Sequence, residues 1–485
     1  MSREKIAPLG IVVDFGRSPD HLSCVFQLRD DADVRVGEFV EIPAGSYVII
    51  GRVTRIVSKN TFLSDPQFVK QHLDERIPIG SRIAINMRQW REAHIEIIAL
   101  LRNGSLEPPS IPPEPGEYVY PATRDVLRRI LNLRDDGIFI GFLYTDSNVY
   151  IKVDPEVLLR LHFAVFGATG SGKSYTVGVI IEEFLDHGYP VVIFDVHGEY
   201  HTLGIPNDNQ DDLQKLRAIG LSPRKYDVEV VGDPKIGFEN LDVDTISDLS
   251  DLTPVMRDLL YLSFSEMKRQ GLNSMDGLRR AISATASKYS FDNRTKTALL
   301  RRIETIKELK IFGGEMNIER SLAKGRCVVI NLSGIESEFE KRAVVGVTLR
   351  KLFRARKEKT IPPTLVVIEE SHLFAPQDEE TYSKQMMRRI AREGRKFGIG
   401  IGVVSQRIIG LDKDVISQCG TKIILRIDSK TDIDYLRPYM GLATEEDLKR
   451  LPYLPRGTAF ITGQATQHPI LVKIRPRKTK HLQML

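Results

Sequence analysis

The chain has 485 residues, more than one hydrophobic core usually organises, so two or three domains are expected. Hydrophobic residues make up 42% and charged residues 27%, which excludes a disordered or fibrous protein. The net charge of +5 is small for this length, so any site for a polyanion must be a local cluster.

Cysteine spacing and hydropathy indicate the cellular compartment in which the protein is expected. Cys24, Cys327 and Cys419 lie far apart, without the spacing of a zinc site or a disulfide framework. No stretch approaches the roughly 18 to 20 apolar residues that a membrane span requires. The sequence therefore predicts a protein of the reducing cytoplasm, with no export signal and no contact with a membrane.

The N-terminal part of the chain alternates short apolar runs with Gly, Pro and Asp over residues 9–101. This pattern predicts a small β-barrel domain at 1–105. Five prolines then fall within residues 108–115, where they remove backbone donors and favour extended backbone. We expect a linker at 106–117.

Strand-like apolar runs separated by helical stretches follow the linker. They lie at residues 163–166, 191–194, 327–332, 365–368, 399–404 and 423–427. This alternation is typical of a mostly parallel sheet covered on both faces. Residues 240–312 have helical periodicity instead and predict an inserted helical subdomain. The α/β core is expected at 118–239 and 313–466, with a C-terminal tail at 467–485.

A glycine-rich loop joins the first of these strands to an apolar helical stretch at 175–185. The loop is Gly167-Ala168-Thr169-Gly170-Ser171-Gly172-Lys173-Ser174. Its backbone N–H groups are expected to converge on phosphates at a helix N-terminus, with Lys173 as a cation and the Ser174 hydroxyl on Mg²⁺. Tyr175, directly after the loop, is counted among the nucleotide-binding residues. The sequence predicts a hydrolase of nucleoside triphosphates.

The second predicted strand, expected beside the phosphate loop, ends in acidic residues. The segment reads Asp195-Val196-His197-Gly198-Glu199-Tyr200. Asp195 and Glu199 are candidates to orient water or Mg²⁺, and Asp195 is predicted to be both a catalytic and a metal-binding residue. The alternative is a tight turn that Asp195 caps and in which Gly198 takes a positive φ.

The strand predicted at 365–368 runs into Glu369 and Glu370. Carboxylates at this position lie at the carboxyl edge of a parallel sheet, where ligands bind in such folds. We expect Glu369 on the metal side and Glu370 as the base that activates water. The alternative is a solvated acidic pair that begins a helix.

A basic segment at 388–398 precedes the strand predicted at 399–404. Charge runs are usually solvated helix faces, but hydrolysis also requires a guanidinium to stabilise charge on the phosphoryl group. Arg395 is the first candidate and Arg392 the second, each acting across a subunit boundary. Gln406 at the following strand end is a candidate to sense the γ-phosphate, with a simple turn as the alternative.

These motifs together resemble the HerA family of the HerA/FtsK ATPases over nearly the whole chain. The specific matches are the segment 195–200, Glu369-Glu370-Ser371-His372, residues 391–398 and Ser405-Gln406-Arg407. The resemblance implies a RecA-like core with an N-terminal barrel and a helical insertion, ATP and Mg²⁺ as ligands, and an archaeal source. Arg160, just before the phosphate-loop strand, is a further nucleotide-facing candidate, with a surface turn residue as the alternative.

The resemblance also implies a function and partners. A homo-hexameric ring would move double-stranded DNA through its channel, and a NurA-type nuclease would dock on the barrel face during end resection for recombinational repair. Channel residues would grip phosphates without reading bases. The candidates are Lys384, Arg388 and Arg389, with Lys268, Arg269, Arg279 and Arg280 as alternatives.

Two other functions share the same core. One is an ATP-gated ring scaffold that regulates a partner enzyme without pumping DNA. The other is an ATPase for protein remodelling or secretion.

Overall fold

The computed structural model describes residues 7–16, 18–61, 63–64, 66–72, 89–250, 252–314 and 316–482. Its N-terminal part is a closed antiparallel barrel, as predicted. Six strands form the ring in the order β2-β1-β7-β3-β4-β5, and β5 pairs back with β2. The strands of this sheet, including β6 at its end, are β1 Gly10–Val13, β2 Ser23–Leu28, β3 Phe39–Ala44, β4 Tyr47–Asn60, β5 Gln89–Arg102, β6 Ser105–Glu107 and β7 Tyr118–Pro121. A short helix, α1 Pro66–His72, follows β4.

The proline-rich segment lies within the barrel connection and does not end the barrel. Strand β7, which begins at Tyr118, pairs with both β1 and β3 and completes the ring. The predicted start of the core at residue 118 is therefore too early. The prolines prevent pairing only between residues 108 and 115, whereas Val119 is buried in the barrel core.

The second sheet has the order β12-β13-β11-β14-β15-β10-β16-β17-β18-β8-β9. The strands from β12 to β16 in this order are parallel, and all except the partly exposed edge strand β12 are buried because helices cover both faces; the remaining pairings are antiparallel. The bounds are β8 Ile138–Leu143, β9 Tyr150–Val153, β10 Phe163–Phe166, β11 Val191–Asp195, β12 Asp227–Val231, β13 Arg326–Asn331, β14 Thr364–Ile368, β15 Ile399–Ser405, β16 Thr421–Ile424, β17 Thr458–Gly463 and β18 Ile470–Ile474.

This order corrects three expectations. Strand β11 is separated from the phosphate-loop strand β10 by β14 and β15, so Asp195 does not follow a neighbouring strand. Strand β16 ends at Ile424 because the next residues turn toward the phosphate loop, where Ala168 N donates to Arg426 O at 2.8 Å. Strand β18 lies in the predicted C-terminal tail, which is therefore part of the core.

Helices pack on both faces of the sheet. They are α2 Arg124–Ile130, α3 Pro155–Leu161, α4 Lys173–Asp186, α5 Gln210–Ala218, α6 Val243–Ser250, α7 Pro254–Arg269, α8 Met275–Lys288, α9 Asn293–Glu308, α10 Ile318–Ser321, α11 Glu338–Lys357, α12 Tyr382–Phe397, α13 Lys413–Gln418, α14 Lys430–Leu436 and α15 Glu445–Arg450. Helices α6 to α9 form the predicted insertion. None of the helices in the described residues is long and apolar enough to cross a membrane.

Local sequence explains the ends of the insertion helices. Thr253, Ser274 and Asp292 each accept a hydrogen bond from a backbone N–H of the first turn of α7, α8 and α9. The apolar faces that follow, including Leu278 and Ile303, are buried against the core of the α/β domain. The insertion is therefore continuous with that core.

A buried ion pair joins the barrel to the core. Arg52 on β4 forms a bidentate pair with Asp447 on α15, with Nη1 donating to Oδ2 at 2.9 Å, and each side chain is 3% exposed. Arg450 on the same helix donates to Val36 O at 3.2 Å. Because a buried charge is stable only with its partner, these contacts fix α15 against the barrel.

Candidate nucleotide-binding site

The phosphate loop leads from β10 into α4 and requires its glycines. Gly170 and Gly172 have φ values of +74° and +103°, which other residues rarely adopt. A Cβ added at Gly167 would lie 2.6 Å from Ser171 Oγ. The tight loop leaves the first backbone N–H groups of α4 facing a cleft of about 320 Å³.

Lys173 lies in this cleft with three carboxylates around it. Its Nζ donates to Ala168 O at 3.3 Å. Burial lowers the pKa of Lys173, although the charges of Glu370, Glu369 and Glu199 oppose that shift. Ser174 also lines the cleft. The predicted cation and hydroxyl thus share one site with the predicted acids.

The chain reverses direction at Glu370, directly after β14. Glu370 has φ 45° and ψ 47°, a left-handed conformation that costs a residue other than glycine about 1 to 3 kcal/mol. Both Glu369 and Glu370 are buried, at 3% and 6% exposure. The alternative of a solvated acidic pair is therefore wrong, because strain and burial both oppose it.

Two histidines contact Glu370. His197 Nε2 lies 3.6 Å from Glu370 Oε1, and His372 Nδ1 lies 3.2 Å from Glu370 Oε2. The same Nδ1 is 3.0 Å from Ser405 Oγ, and Glu370 Oε2 has no hydrogen-bond partner among the residues that the structure describes. The two histidines hold the carboxylate in place, and Oε2 makes an ionic contact with His372 without being hydrogen-bonded by it.

The two glutamates titrate in opposite directions. Burial, followed by the charge of Asp195, raises the pKa of Glu369 to about 8. Burial also opposes ionisation of Glu370, but the contact with His197 and the charges of His372 and Lys173 lower its pKa. Near neutral pH, Glu370 is the ionised carboxylate of the pair and can act as a base.

Asp195 caps its own turn. Its carboxylate is fully buried and accepts from Gly198 N at 2.8 Å, Tyr200 N at 2.9 Å and His197 N at 3.3 Å. Gly198 has φ +77°, so the turn alternative describes the local structure. Asp195 is not among the residues that line the cleft, and its catalytic and metal-binding roles stay a prediction. Glu199 lines the cleft instead, and its buried Oε2 has no hydrogen-bond partner within the described part of the chain.

Gln406 lies across the cleft from the phosphate loop. Its side-chain oxygen accepts from Thr169 Oγ1 at 2.8 Å, which holds the amide against the phosphate loop, and its role as a sensor of the γ-phosphate stays a prediction. Sequence reasoning missed Arg456 and His481, which also line the cleft. Their segments carry no motif that could have marked them.

The two candidate arginine fingers lie on α12, and neither lines the cleft of its own chain. Arg392 pairs with Asp414 at 2.8 Å. Arg395 is exposed and makes no hydrogen bond or ion pair with any residue in the described ranges. Their action across a subunit boundary stays a prediction, with Arg395 the less constrained of the two.

Two of the three residues predicted to contact DNA support the fold instead. Lys384 is 3% exposed, and its Nζ donates to Gln377 O and Glu379 O at 3.1 and 3.0 Å. Arg388 donates to both oxygens of Asp412, at 3.0 and 2.7 Å. Arg389 is half exposed and lies over the ring of Phe353 at 5.1 Å. Among the alternatives on the insertion, Arg269 and Arg279 form ion pairs, and Lys268 and Arg280 are exposed.

Arg160 does not face the nucleotide site of its own chain. It lies on α3, before β10, and pairs with Glu156 one helical turn away. The phosphate loop follows the opposite end of β10, so the strand separates the two. Arg160 is thus a surface residue, as in the alternative, but it lies on a helix and not in a turn.

The site combines a strand that leads into a phosphate loop and a helix with an ionised, buried glutamate that faces the loop lysine. These features together define the class of protein. The protein is a phosphate-loop hydrolase of nucleoside triphosphates with an α/β core.

Comparison with known proteins gives the family. A family model described as "Helicase HerA, central domain" matches residues 138–352. A protein named DNA double-strand break repair helicase HerA from Pyrococcus furiosus is 32% identical over 519 residues, covering 93% of this chain and 89% of that protein. A protein of the same name from Sulfurisphaera tokodaii is 31% identical, with coverage of 91% and 88%. The chain belongs to the HerA helicase family and is an ATP-hydrolysing helicase or translocase.

The comparisons also bear on fold and source. A solved structure, plasmid coupling protein TrwB in complex with ADP and Mg²⁺, matches 75% of this chain and 94% of its own with a TM-score of 0.51 at 15% identity. That likeness confirms the fold of the core. Both relatives come from archaea, in agreement with the archaeal source expected from the sequence.

Proposed function

We propose that this protein is a hexameric motor that uses ATP to move double-stranded DNA in end resection. The observation that carries the proposal is the ionised, strained and buried Glu370, which faces Lys173 across the cleft. A base held beside a phosphate-binding lysine is suited to turnover as well as to binding. The relatives named as DNA double-strand break repair helicases supply the substrate and the pathway of the proposal.

ATP with Mg²⁺ fits the cleft. The loop N–H groups and Lys173 would hold the phosphates, while Ser174 and the free oxygen of Glu199 would face the metal. Mg²⁺ usually takes one or two protein ligands and fills its other positions with phosphate oxygens and water. When bound, it would neutralise charge on the phosphates. Glu369, with its raised pKa, would give up its proton to approach the metal.

Glu370 would accept a proton from the attacking water. His197 and His372 orient its carboxylate, and Gln406 holds Thr169 of the loop. The developing charge on the phosphoryl group then requires a guanidinium beyond Lys173. The exposed, unpaired Arg395 of a neighbouring subunit would supply it, which is the reason we propose a closed ring.

The remaining partners follow from the family. Duplex DNA would pass through the ring and be held by exposed basic side chains, for which Arg389, Lys268 and Arg280 are the remaining candidates. A nuclease of the NurA type would dock on the face of the ring formed by the barrels. Light scattering should then give a mass six times the 54.9 kDa of one chain.

The proposal is tested by measuring ATP turnover with and without linear duplex DNA. We expect duplex DNA to raise turnover several-fold in wild type, and Lys173→Ala to abolish turnover in both conditions. A wild-type rate that ignores DNA would contradict the motor. Partner nuclease activity that survives in Glu370→Gln would instead indicate the scaffold function, since nucleotide binding alone would then suffice.

Mixed subunits test the shared site. Arg395→Ala and Lys173→Ala should each be inactive alone, yet a mixture should regain part of the turnover. In such a ring, some sites combine the intact Lys173 of one subunit with the intact Arg395 of the next. No recovery on mixing would mean that Arg395 acts within its own chain or not at all.

A further inference from the structure

The C-terminal segment after β18 is bound firmly to helix α4. Arg475 is fully buried, and its guanidinium donates to Phe139 O at 2.9 Å and to Glu183 Oε1 at 2.7 Å. Thr479 N donates to Glu182 Oε1 at 2.9 Å. The segment also crosses Gly178 of α4, where an added Cβ would lie 2.5 Å from Cζ of Arg477. Residues 475–480 are thus a built part of the core.

The same segment reaches the phosphate loop through Tyr175. Arg477 N donates to the Tyr175 hydroxyl at 2.8 Å, and that hydroxyl donates to Asp212 Oδ2 at 2.9 Å. These two hydrogen bonds fix the orientation of the tyrosine ring. His481 then packs edge-to-face against it, with ring centroids 5.4 Å apart and an interplanar angle of 88°. An aromatic pair is therefore held one residue beyond the Ser174 of the loop.

The aromatic pair of Tyr175 and His481 lies where two cavities meet. The phosphate cleft of about 320 Å³ adjoins a second cavity of about 530 Å³, and Gly172, Tyr175, Arg456 and His481 line both. A ligand with phosphates in the first cavity can extend past the two rings into the second. Three acids, Asp208, Asp211 and Asp212, and three bases, Lys215, Lys480 and Arg456, line the second cavity, and Lys480 pairs with Asp208 at 2.6 Å. Because these charges balance and the loop holds the phosphates, the second cavity is left for the base and ribose of a nucleotide.

We propose that His481, Tyr175 and Arg456 form a subsite for the nucleoside part of a nucleoside triphosphate, completed by the C-terminal segment. The proposal rests on the function proposed above and adds the residues that hold base and ribose. Aromatic faces stack on any nucleobase, so the subsite separates nucleotides from bare polyphosphate more than it separates one base from another. Burial, followed by the charges of Arg477 and Arg456, lowers the pKa of His481 to about 4, so a neutral ring meets the base at pH 7.

Binding measurements on the full chain test the subsite. Equilibrium affinities for Mg-ATP, Mg-GTP and Mg-tripolyphosphate are compared between wild type and His481→Ala. We expect His481→Ala to weaken both nucleotides about tenfold, through loss of stacking, and to leave tripolyphosphate unchanged. His481→Phe keeps a ring and should bind within about threefold of wild type. His21→Ala, an exposed histidine on the barrel, is the matched control.

Other outcomes would overturn the subsite. Equal losses for ATP and tripolyphosphate in His481→Ala would mean that the segment only supports the phosphate loop, and no loss would mean that His481 contacts no ligand. If wild-type protein bound tripolyphosphate as tightly as ATP, the nucleoside subsite would be rejected, and the proposed motor function would be unaffected. If the protein bound nucleotides selectively but its ATP turnover did not rise with DNA, the proposed motor function would be rejected, and the nucleoside subsite would be supported.

Discussion

Helix Lys173–Asp186 has a cluster of buried carboxylates near each end, and the two clusters differ in their partners. At the C-terminal end, all four oxygens of Glu182 and Glu183 accept hydrogen bonds or ion pairs, from Arg475, Lys478, Thr479 and Phe139. At the N-terminal end, Glu199 and Glu370 each keep a buried oxygen without a hydrogen-bond partner in the described ranges, although that of Glu370 lies 3.2 Å from His372 Nδ1.

The contrast separates charge that stabilises the fold from charge reserved for a ligand. A buried carboxylate is stable only when partners replace water, so unsatisfied oxygens are a cost that a ligand or metal would remove. The pKa values separate the clusters only at Glu369. Burial opposes ionisation of Glu183, yet Arg475 and Lys478 outweigh it and lower the pKa, and the pKa of Glu370 is lowered as well, whereas burial raises the pKa of Glu369 to about 8.

The largest effect is expected from Lys173→Ala. This change removes the cation that the N-terminal carboxylates surround, and turnover at saturating Mg-ATP should fall at least about 10³-fold. The variant should still unfold in one cooperative transition, because within the described part of the chain Nζ donates one hydrogen bond, to Ala168 O. Phosphate release measures turnover, and a melting curve measures thermal unfolding. A stable variant that still turns over ATP would remove the lysine from the mechanism.

Arg475→Ala should affect stability instead of the chemical step. It leaves Glu182 and Glu183 buried with fewer partners, and the free energy of unfolding should fall by about 3 to 5 kcal/mol. Arg354→Ala is the matched control, since Arg354 is 76% exposed and its pair with Glu358 should contribute less than about 1 kcal/mol. Denaturant unfolding measures both. Equal losses in the two variants would break the distinction between the buried network and a surface pair.

The pH dependence of stability should differ between the clusters. Glu369 binds a proton more tightly in the folded state, so its contribution is present below its ordinary pKa and is lost as pH rises toward about 8. Glu369→Gln should flatten the decline in stability over that range. Glu183 has the opposite sign, with a contribution lost as pH falls through its lowered pKa. Unfolding curves from about pH 3 to 9 cover both titrations, and an unchanged slope toward pH 8 in Glu369→Gln would contradict the assignment.

The smallest effect is expected from Gly178→Ala. The added methyl group would press on the Arg477 guanidinium, so overpacking should outweigh the gain in helix propensity and destabilise by about 1 kcal/mol. At Gly204, an added Cβ would keep 3.7 Å from its nearest neighbour, and Gly204→Ala should stay within about 0.5 kcal/mol of wild type. Stabilisation by Gly178→Ala would mean that the C-terminal segment packs loosely on the helix.

Sequence pattern predicted the features that are local in the chain. The parallel strands are continuous apolar runs, and the phosphate loop is recognisable from its spacing and its flanking elements. The pattern missed strand Ile470–Ile474, since its partners are β17 and the distant β8 at Ile138–Leu143. Lys384 and Arg388 resemble a solvated basic face, and only the fold reveals that Asp412 lies against both.

The site was predictable to a similar degree. Glu370 and Gln406 follow apolar strands, so a parallel sheet places them at one edge. Asp195 follows the same rule, but its carboxylate is occupied by its own turn, which depends on the positive φ of Gly198. His481 could not be found from sequence, because its neighbour Tyr175 is some three hundred residues away and their contact depends on how the segment crosses α4.

The most direct test of the central claim is ATP binding and turnover by Glu370→Gln, with linear duplex DNA present. This change keeps the size of the side chain and removes its negative charge and its ability to take a proton. We predict Mg-ATP affinity close to that of wild type and turnover lower by about 10³-fold. A variant that keeps wild-type turnover would contradict the assignment of this buried, partly unsatisfied carboxylate as the base.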